Sequence, residues 1–313
     1  MKVLFMGTPD FASGVLESII KAGHEIVLAV TQEDKPKGRG KEIAFTPVKE
    51  TAIAHGIEVY QPHRAKHPDA VAKFKQYDAD VFVVVAYGQI LSKEILDIPR
   101  LGCINVHASL LPKYRGAAPI QWAVIDGEKY TGITTMKMDE GIDTGDIIET
   151  SVYEIKEDET GGSLFDNLME LGGELIVSTI EKLEAGTATF TKQDDSKSTH
   201  AKMLTKEMGN IDFSMEAQAI ERLIRGLNPW PSAYTKLNGK TLKIWKAQVV
   251  NEDYEGKYGE VVNITKDSLY IKTGKGTLSI LELQLEGKKR MYIEDFLRGN
   301  KLEKGQFLGD KNE

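Results

Sequence analysis

Three short, continuously apolar runs constrain this chain most: Val3 to Met6, Ile26 to Val30 and Val81 to Val85. They are β-branched and lack the alternation of a half-solvated strand, so each reads as a strand buried on both faces. Between them, Phe11 to Ala22 and Ala70 to Tyr77 have helical spacing. Thr46-Pro47 opens another helix, with a capping residue followed by proline at the first helical position. Strand and helix in alternation imply a mostly parallel sheet covered on both sides, a Rossmann-like α/β domain.

The pattern continues with a strand over Gly102 to His107 and a helix over Ala117 to Ile125. Thr131 to Met138 and Asp146 to Tyr153 follow with no helix between them, which predicts an antiparallel addition to the sheet. Ser163 and Asp166 form a capping-box variant that should open a long amphipathic helix ending near Ala185. At 313 residues the chain exceeds one ordinary domain. The character changes after Gly186, and Lys192 to Lys206 is polar, without apolar period. The expected division is a catalytic domain over 1–189, a linker over 190–206 and a second domain over 207–313. That last part holds a helix over Ser214 to Leu227, then short strands punctuated by Asn238-Gly239, Glu255-Gly256 and Glu286-Gly287. It suits a small OB-like β-barrel.

Charge refines the picture. The net charge of −7 argues against a generally basic nucleic-acid binder. From Glu207 onward, however, seventeen basic residues meet sixteen acidic ones, and Lys35 to Lys49 holds five basic residues against one acidic. A positive island in an acidic domain requires an explanation. The single cysteine, Cys103, excludes an internal disulfide and reads as a small core residue. No secretory signal is visible, and no stretch approaches the roughly 20 apolar residues of a membrane span. The expectation is a soluble, cytoplasmic protein with no membrane partner.

Ligands of an open parallel sheet bind beyond the carboxyl ends of its strands. The first such turn, Met6-Gly7-Thr8-Pro9-Asp10, lacks G-x-G-x-x-G spacing, and Pro9 removes a backbone donor. This argues against a nicotinamide dinucleotide. Asn105 and His107 are a better pair, since two residues apart on a strand they share a face. An amide donor beside a group that titrates near neutrality suits acyl transfer; a histidine bonded to a nearby loop is the plainer reading. The loop Ser109-Leu110-Leu111-Pro112 could wall a flat aromatic ligand or simply bury two leucines. Met138 to Asp146 is a tight acidic loop. It lacks the ligand spacing of a calcium loop, which leaves a solvated turn or a carboxylate that orients the histidine.

The string Asn105 to Pro112, followed by Gly141-Ile142-Asp143-Thr144-Gly145, resembles the core of the folate-dependent formyltransferases. Ala108 stands where that family often has glycine, a small change. Three further strings resemble its methionyl-tRNA branch: Phe5 to Ala12, the basic insertion Asp34 to Lys41, and Asn228-Pro229-Trp230-Pro231-Ser232-Ala233. The resemblance implies a catalytic trio of Asn105, His107 and Asp143. Asn105 would donate to the oxyanion, His107 would donate to it or shuttle a proton, and Asp143 would orient and charge-stabilise His107. It also implies a folate pocket from Tyr87, Gly88, Gln89, Ile90 and Leu91 with Ser109, Leu110, Leu111 and Pro112.

The donor implied is 10-formyltetrahydrofolate, with no metal, and the acceptor is the α-amino group of methionine on initiator tRNA. Lys35, Lys37, Arg39 and Lys41 would approach the tRNA, helped by Lys240, Lys243, Lys246 and Lys288 to Arg290. The resemblance suggests a monomer. Alternatives are a formyltransferase acting on a small amine or sugar nucleotide, a formyl-folate hydrolase, and an RNA-binding protein without catalysis.

Overall fold

The computed structural model describes residues 1–37 and 42–309. Two compact units emerge from it, the first comprising Met1–Pro119, Tyr130–Glu154 and Phe165–Ala201. Its strands are β1 (Lys2–Gly7), β2 (Glu25–Val30), β3 (Val59–Tyr60), β4 (Val81–Val85), β5 (Cys103–His107), β6 (Tyr130–Lys137) and β7 (Asp146–Glu154). They form one sheet in the order β7-β6-β5-β4-β1-β2-β3. The five strands β3-β2-β1-β4-β5 run parallel, and β6 and β7 add antiparallel pairings at one edge. The two strands without a helix between them thus make the predicted hairpin.

One face of the sheet presents Leu4, Met6, Leu28, Val30, Phe82, Val84 and Cys103 to a core shared with Ala70, Val71 and Phe74 of α3 (Pro68–Lys75). Cys103 is the small core residue expected, and burial pushes its thiol pKa up. On the other face, α1 (Asp10–Lys21) meets the long helix Gly161–Glu184. Phe11 and Phe165 pack edge to face with ring centroids 5.4 Å apart. The helices approach closely because Gly173 has no side chain: a Cβ there would lie 2.2 Å from Ser18 Oγ.

The helix over Pro47–Ala54 is capped as predicted, with Thr46 Oγ1 accepting from Lys49 N at 3.2 Å. The long helix begins earlier than expected. Thr160, and not Ser163, is the cap: Ser163 N donates to Thr160 Oγ1 at 3.1 Å and Thr160 N to Ser163 Oγ at 3.0 Å. Reciprocal side-chain bonds satisfy two otherwise orphaned donors, and a serine serves at the third position where glutamate is usual.

A polar knot ties β7 to this helix. Glu149 accepts from Ser178 Oγ (3.1 Å), Thr179 Oγ1 (2.6 Å) and Lys182 Nζ. Burial alone would raise its pKa, but these three donors outweigh it and hold the carboxyl below its usual value. A depressed carboxyl stabilises the fold above its unfolded pKa and loses that contribution as pH falls through the folded one. Glu149→Gln should therefore lower the unfolding midpoint at pH 7, and the gap to the parent should close as pH falls below about 4. A gap independent of pH in thermal unfolding curves would contradict this.

The second unit comprises Ile120–Lys129, Ile155–Leu164 and Lys202–Glu313. Its main sheet is antiparallel, with β8 (Ala233–Leu237), β9 (Lys240–Val250), β10 (Val261–Ile264), β11 (Leu269–Lys272) and β12 (Thr277–Leu285) in the order β8-β9-β12-β11-β10. β13 (Met291–Tyr292) pairs with β12. Pairing between named strands leaves β8 and β10 as the two ends of this path. The chain near its end touches both edges. Gly309 N donates to Lys236 O at 2.8 Å, and Val261 N donates to Gln306 O at 2.7 Å. The helix predicted over Ser214 to Leu227 is shorter, Ala217–Gly226, and its Ile220 and Ile224 enter the core beside Leu242, Ile244, Leu278 and Ile280.

The segment expected as a linker is structured through its first half. Thr191 bridges Ile147, Gln193 is 6% exposed, and His200–Ala201 pairs in parallel with Arg115–Gly116. Gln193 and Ala201 are buried, while most of the polar residues around them are exposed. No helix among the described residues is long and apolar enough to cross a membrane.

Candidate active site

The central element is β5. It pairs with β4 on one side (Val84 opposite Asn105) and with β6 on the other (Asn105 opposite Met136, His107 opposite Thr134). Being enclosed by two neighbours fixes its register, and its period of two sends Cys103, Asn105 and His107 to one face. Cys103 goes into the core. Asn105 and His107 follow it toward the carboxyl end, where the chain leaves the sheet and side chains become accessible to a ligand.

Asn105 is half-buried, yet its Oδ1 is fully buried with no hydrogen-bond partner. An unpaired amide of this kind costs on the order of 1–3 kcal/mol and is rare in native cores. A polar ligand that paired with it would remove the cost.

His107 is 6% exposed. Its Nε2 lies 2.9 Å from Tyr114 O; a carbonyl only accepts, so Nε2 carries a proton and donates. The loop histidine bond anticipated as the plain alternative is therefore real, and it commits one ring nitrogen only. Nδ1 faces Asp143 Oδ2 at 3.6 Å, an ion-pair distance when the ring is protonated and longer than a hydrogen bond.

Asp143 stands in a left-handed backbone conformation, φ 53°, which L-residues other than asparagine and aspartate seldom adopt. Its Oδ2 also accepts from Gly116 N at 2.8 Å. The acidic loop around it is held by Asp139, whose Oδ1 accepts from Gly141 N (3.0 Å) and Thr144 Oγ1 (2.6 Å). Gly145 closes the loop against β6, where a Cβ would lie 1.9 Å from Lys137 O. Much of this loop is exposed, yet its internal bonds and the Gly116 N–H hold the Asp143 carboxylate in place.

The remaining sequence candidates divide. Ser109 is buried and donates to Lys113 O at 2.6 Å, and Leu111 N donates to Thr134 Oγ1 at 3.1 Å; these bonds fix the loop's shape. Leu111 is buried, while Leu110 and Pro112 are half-buried. At the end of β4, Tyr87 and Leu91 turn into the core, and Gln89 spends its amide on Ala65 N and Pro62 O. Gly88, Gln89 and Ile90 line an open cleft of about 680 Å³ with Arg64, Lys66 and Ser92. Ser109 to Pro112 do not line that cleft. A cavity of about 800 Å³ in the second unit, around Trp245, Arg222 and Arg225, contains none of the trio.

Of the basic island, Lys35–Lys37 pairs as a two-stranded ladder with Glu42–Ala44, and the Lys35 side chain is exposed. Arg39 and Lys41 lie outside the described residues. Lys49 is already occupied, bound to Asp34 and Gln61 and 4.0 Å from the centre of the Phe45 ring. In the second unit Lys240, Lys246, Lys288 and Lys289 are exposed. Arg290 instead pairs with Glu282 and lies over the Trp245 ring, 4.8 Å from its centre.

Sequence reasoning missed Gln193, Arg115 and Thr199. Tyr114 N donates to Thr199 Oγ1 at 2.8 Å, so Thr199 supports the carbonyl that receives the His107 proton. None of the three carries a pattern that separates it from surface polarity.

The fold and the family matches define the class, a formyl transferase. Residues 1–180 match the formyl transferase family, and residues 203–301 match the formyl transferase C-terminal domain. The chain belongs to the methionyl-tRNA formyltransferase family. It is 59% identical to the methionyl-tRNA formyltransferase of Agathobacter rectalis, over 98% of this chain and 99% of that one. The same enzyme of Clostridioides difficile is 48% identical over 99% of this chain and 100% of that one. Among solved structures, an N-formyltransferase from Helicobacter canadensis, in complex with folinic acid and dTDP-3-aminofucose, shares the fold. Its TM-score is 0.67 at 20% identity, covering 93% of this chain and 100% of that one.

Proposed function

We propose that this protein transfers the formyl group of 10-formyltetrahydrofolate to the α-amino group of methionyl initiator tRNA. Relatives of the same length at 48–59% identity carry that activity in their names, whereas the likeness to sugar-acting enzymes is one of fold. The observation that carries the site assignment is the Asn105 amide, half-buried on the same face as His107, with its Oδ1 buried and unpartnered. Oδ1 can accept from the attacking amine, and Nδ2 of the same group is the donor that a formyl carbonyl needs.

In this reading the neutral amine attacks the formyl carbon, forming the new N–C bond and a tetrahedral oxyanion. Asn105 donates to that oxygen. The proton lost by the amine passes by way of His107 Nδ1, the ring nitrogen not committed to Tyr114, and ends on the departing folate nitrogen as its bond to carbon breaks. Asp143 orients the ring from 3.6 Å. Tyr87 to Leu91 and Ser109 to Pro112 form the folate pocket. Gly88, Gln89 and Ile90 are the members that face the cleft of about 680 Å³.

We take residues 1–189 as the catalytic domain and 207–313 as an OB-like, tRNA-binding domain, with Gly305 to Gly309 supplying the closure between β8 and β10. The protein would work as a cytoplasmic monomer. Lys35, Lys37, Arg39 and Lys41 approach the acceptor end of the tRNA, and the exposed lysines of the second unit contact phosphates. The test supplies formyl-folate with aminoacylated initiator tRNA or with an amino-sugar nucleotide. Formylation of the sugar alone would overturn the reading. Binding of tRNA should weaken with salt, and Lys288→Ala with Lys289→Ala should lower the slope of log K against log salt by roughly 1–2. An unchanged slope would remove those lysines from the interface.

A further inference from the structure

Gln193 uses every hydrogen-bonding position it has. Its Nε2 donates to Asp143 O at 2.9 Å and to Gly145 O at 2.7 Å. Its Oε1 accepts from Arg115 Nε at 3.1 Å and Arg115 Nη2 at 2.8 Å. The side chain is buried, so no water replaces these bonds at low cost. Arg115 is held in turn by Asp195 at 2.7 Å, and the next residue, Gly116, gives its N–H to Asp143 Oδ2. One amide therefore joins the two loops that meet at the Asp143 carboxylate, and it grips the backbone of the residue whose φ is left-handed.

We infer that Gln193 is a positioning residue for the formyl transfer reaction, holding Asp143 in the conformation that aims its carboxylate at His107 Nδ1. The inference rests on the role given to Asp143 above. The chemistry requires an amide. A carboxylate at 193 would still receive the Arg115 guanidinium, but it would set one acceptor oxygen against two carbonyl oxygens. An alanine would remove the donor from both carbonyls and leave the Arg115 guanidinium with Asp195 alone among these partners. Either change frees the acidic loop to move Oδ2 away from the ring, and a misplacement of about 1 Å can cost about 10²-fold in turnover.

The experiment compares the full-length protein with Gln193→Glu, Gln193→Ala, Asp143→Asn and the two double variants, measuring kcat, KM for each substrate and the unfolding midpoint. The expected result is a fall in kcat of about 10²-fold for each Gln193 variant, with KM for formyl-folate and tRNA within about threefold of the parent. In the Asp143→Asn background, either Gln193 change should cost less than about threefold more, because residues acting through one group are not additive. Losses that multiply in that background would overturn the inference, as would Gln193 variants with parental kcat. Should Gln193→Ala fail to fold, Gln193→Glu carries the test; if neither folds, the residue serves the fold and the inference fails. An Asp143→Asn enzyme with parental kcat would instead bring down the role of Asp143 itself, and this inference with it.

Discussion

Asn105→Ala is expected to lower kcat by roughly 10²–10³-fold, the usual cost of one oxyanion donor, without lowering the unfolding midpoint. The two halves rest on different atoms of one amide: Nδ2 is the donor to the oxyanion, and Oδ1 bears on stability. The Asn105 Oδ1 is buried and unpaired, so the folded protein gains nothing from it and alanine removes an unsatisfied group. The midpoint should stay level or rise. His107→Ala should lose turnover to a similar degree but differ in stability. Its Nε2 bond to Tyr114 O would vanish, at a net cost of about 0.5–1.5 kcal/mol. The pair of variants thus separates a residue held for chemistry from one that also pins its loop. Near-normal turnover in Asn105→Ala would sink the assignment, and a large drop in its midpoint would show that the amide has a structural partner.

Phe82→Ala should cost the largest amount of stability, about 3–5 kcal/mol. The ring is fully buried in the centre of the sheet, 6.3 Å centre to centre from Phe74 and edge-on to it. Phe82 pairs in register with Cys103, two residues before Asn105, so the cavity opens beneath the strand that carries the site. Denaturant unfolding would give the value. A loss below about 1 kcal/mol would mean that the neighbouring helix α3 closes the gap, and that the sheet is less rigidly packed than its burial indicates.

The remaining interest lies in where information about this protein resides. The sheet was legible because its strands are apolar without alternation, a pattern that only two-sided burial explains. The Asn105–His107 pair was legible because a strand's period of two fixes which residues share a face, whatever the rest of the chain does. The helix cap at Thr160 was misplaced by three residues because serine, threonine and aspartate all cap, and choosing among them depends on which N–H groups are left over.

Gln193 lies fifty residues beyond Asp143 in a stretch whose composition is that of a linker. A glutamine has no titration, charge or apolar period to betray a buried role. The same is true of Thr199 and of the return of Gly305 to Gly309 to the edges of the second sheet.

By itself the sequence determined the strand order's raw material, the chemical identity of the Asn–His pair and, through its motifs, the family. The tertiary structure alone decided which nitrogen of His107 bonds the loop and which faces Asp143, how Asp143 is held, and that Gln193, from a polar segment, grips the Asp143 backbone. The physical reason is one of range. Periodicity and residue chemistry act over a few positions, whereas hydrogen-bond satisfaction in a buried site is settled by groups that meet only after the chain has folded.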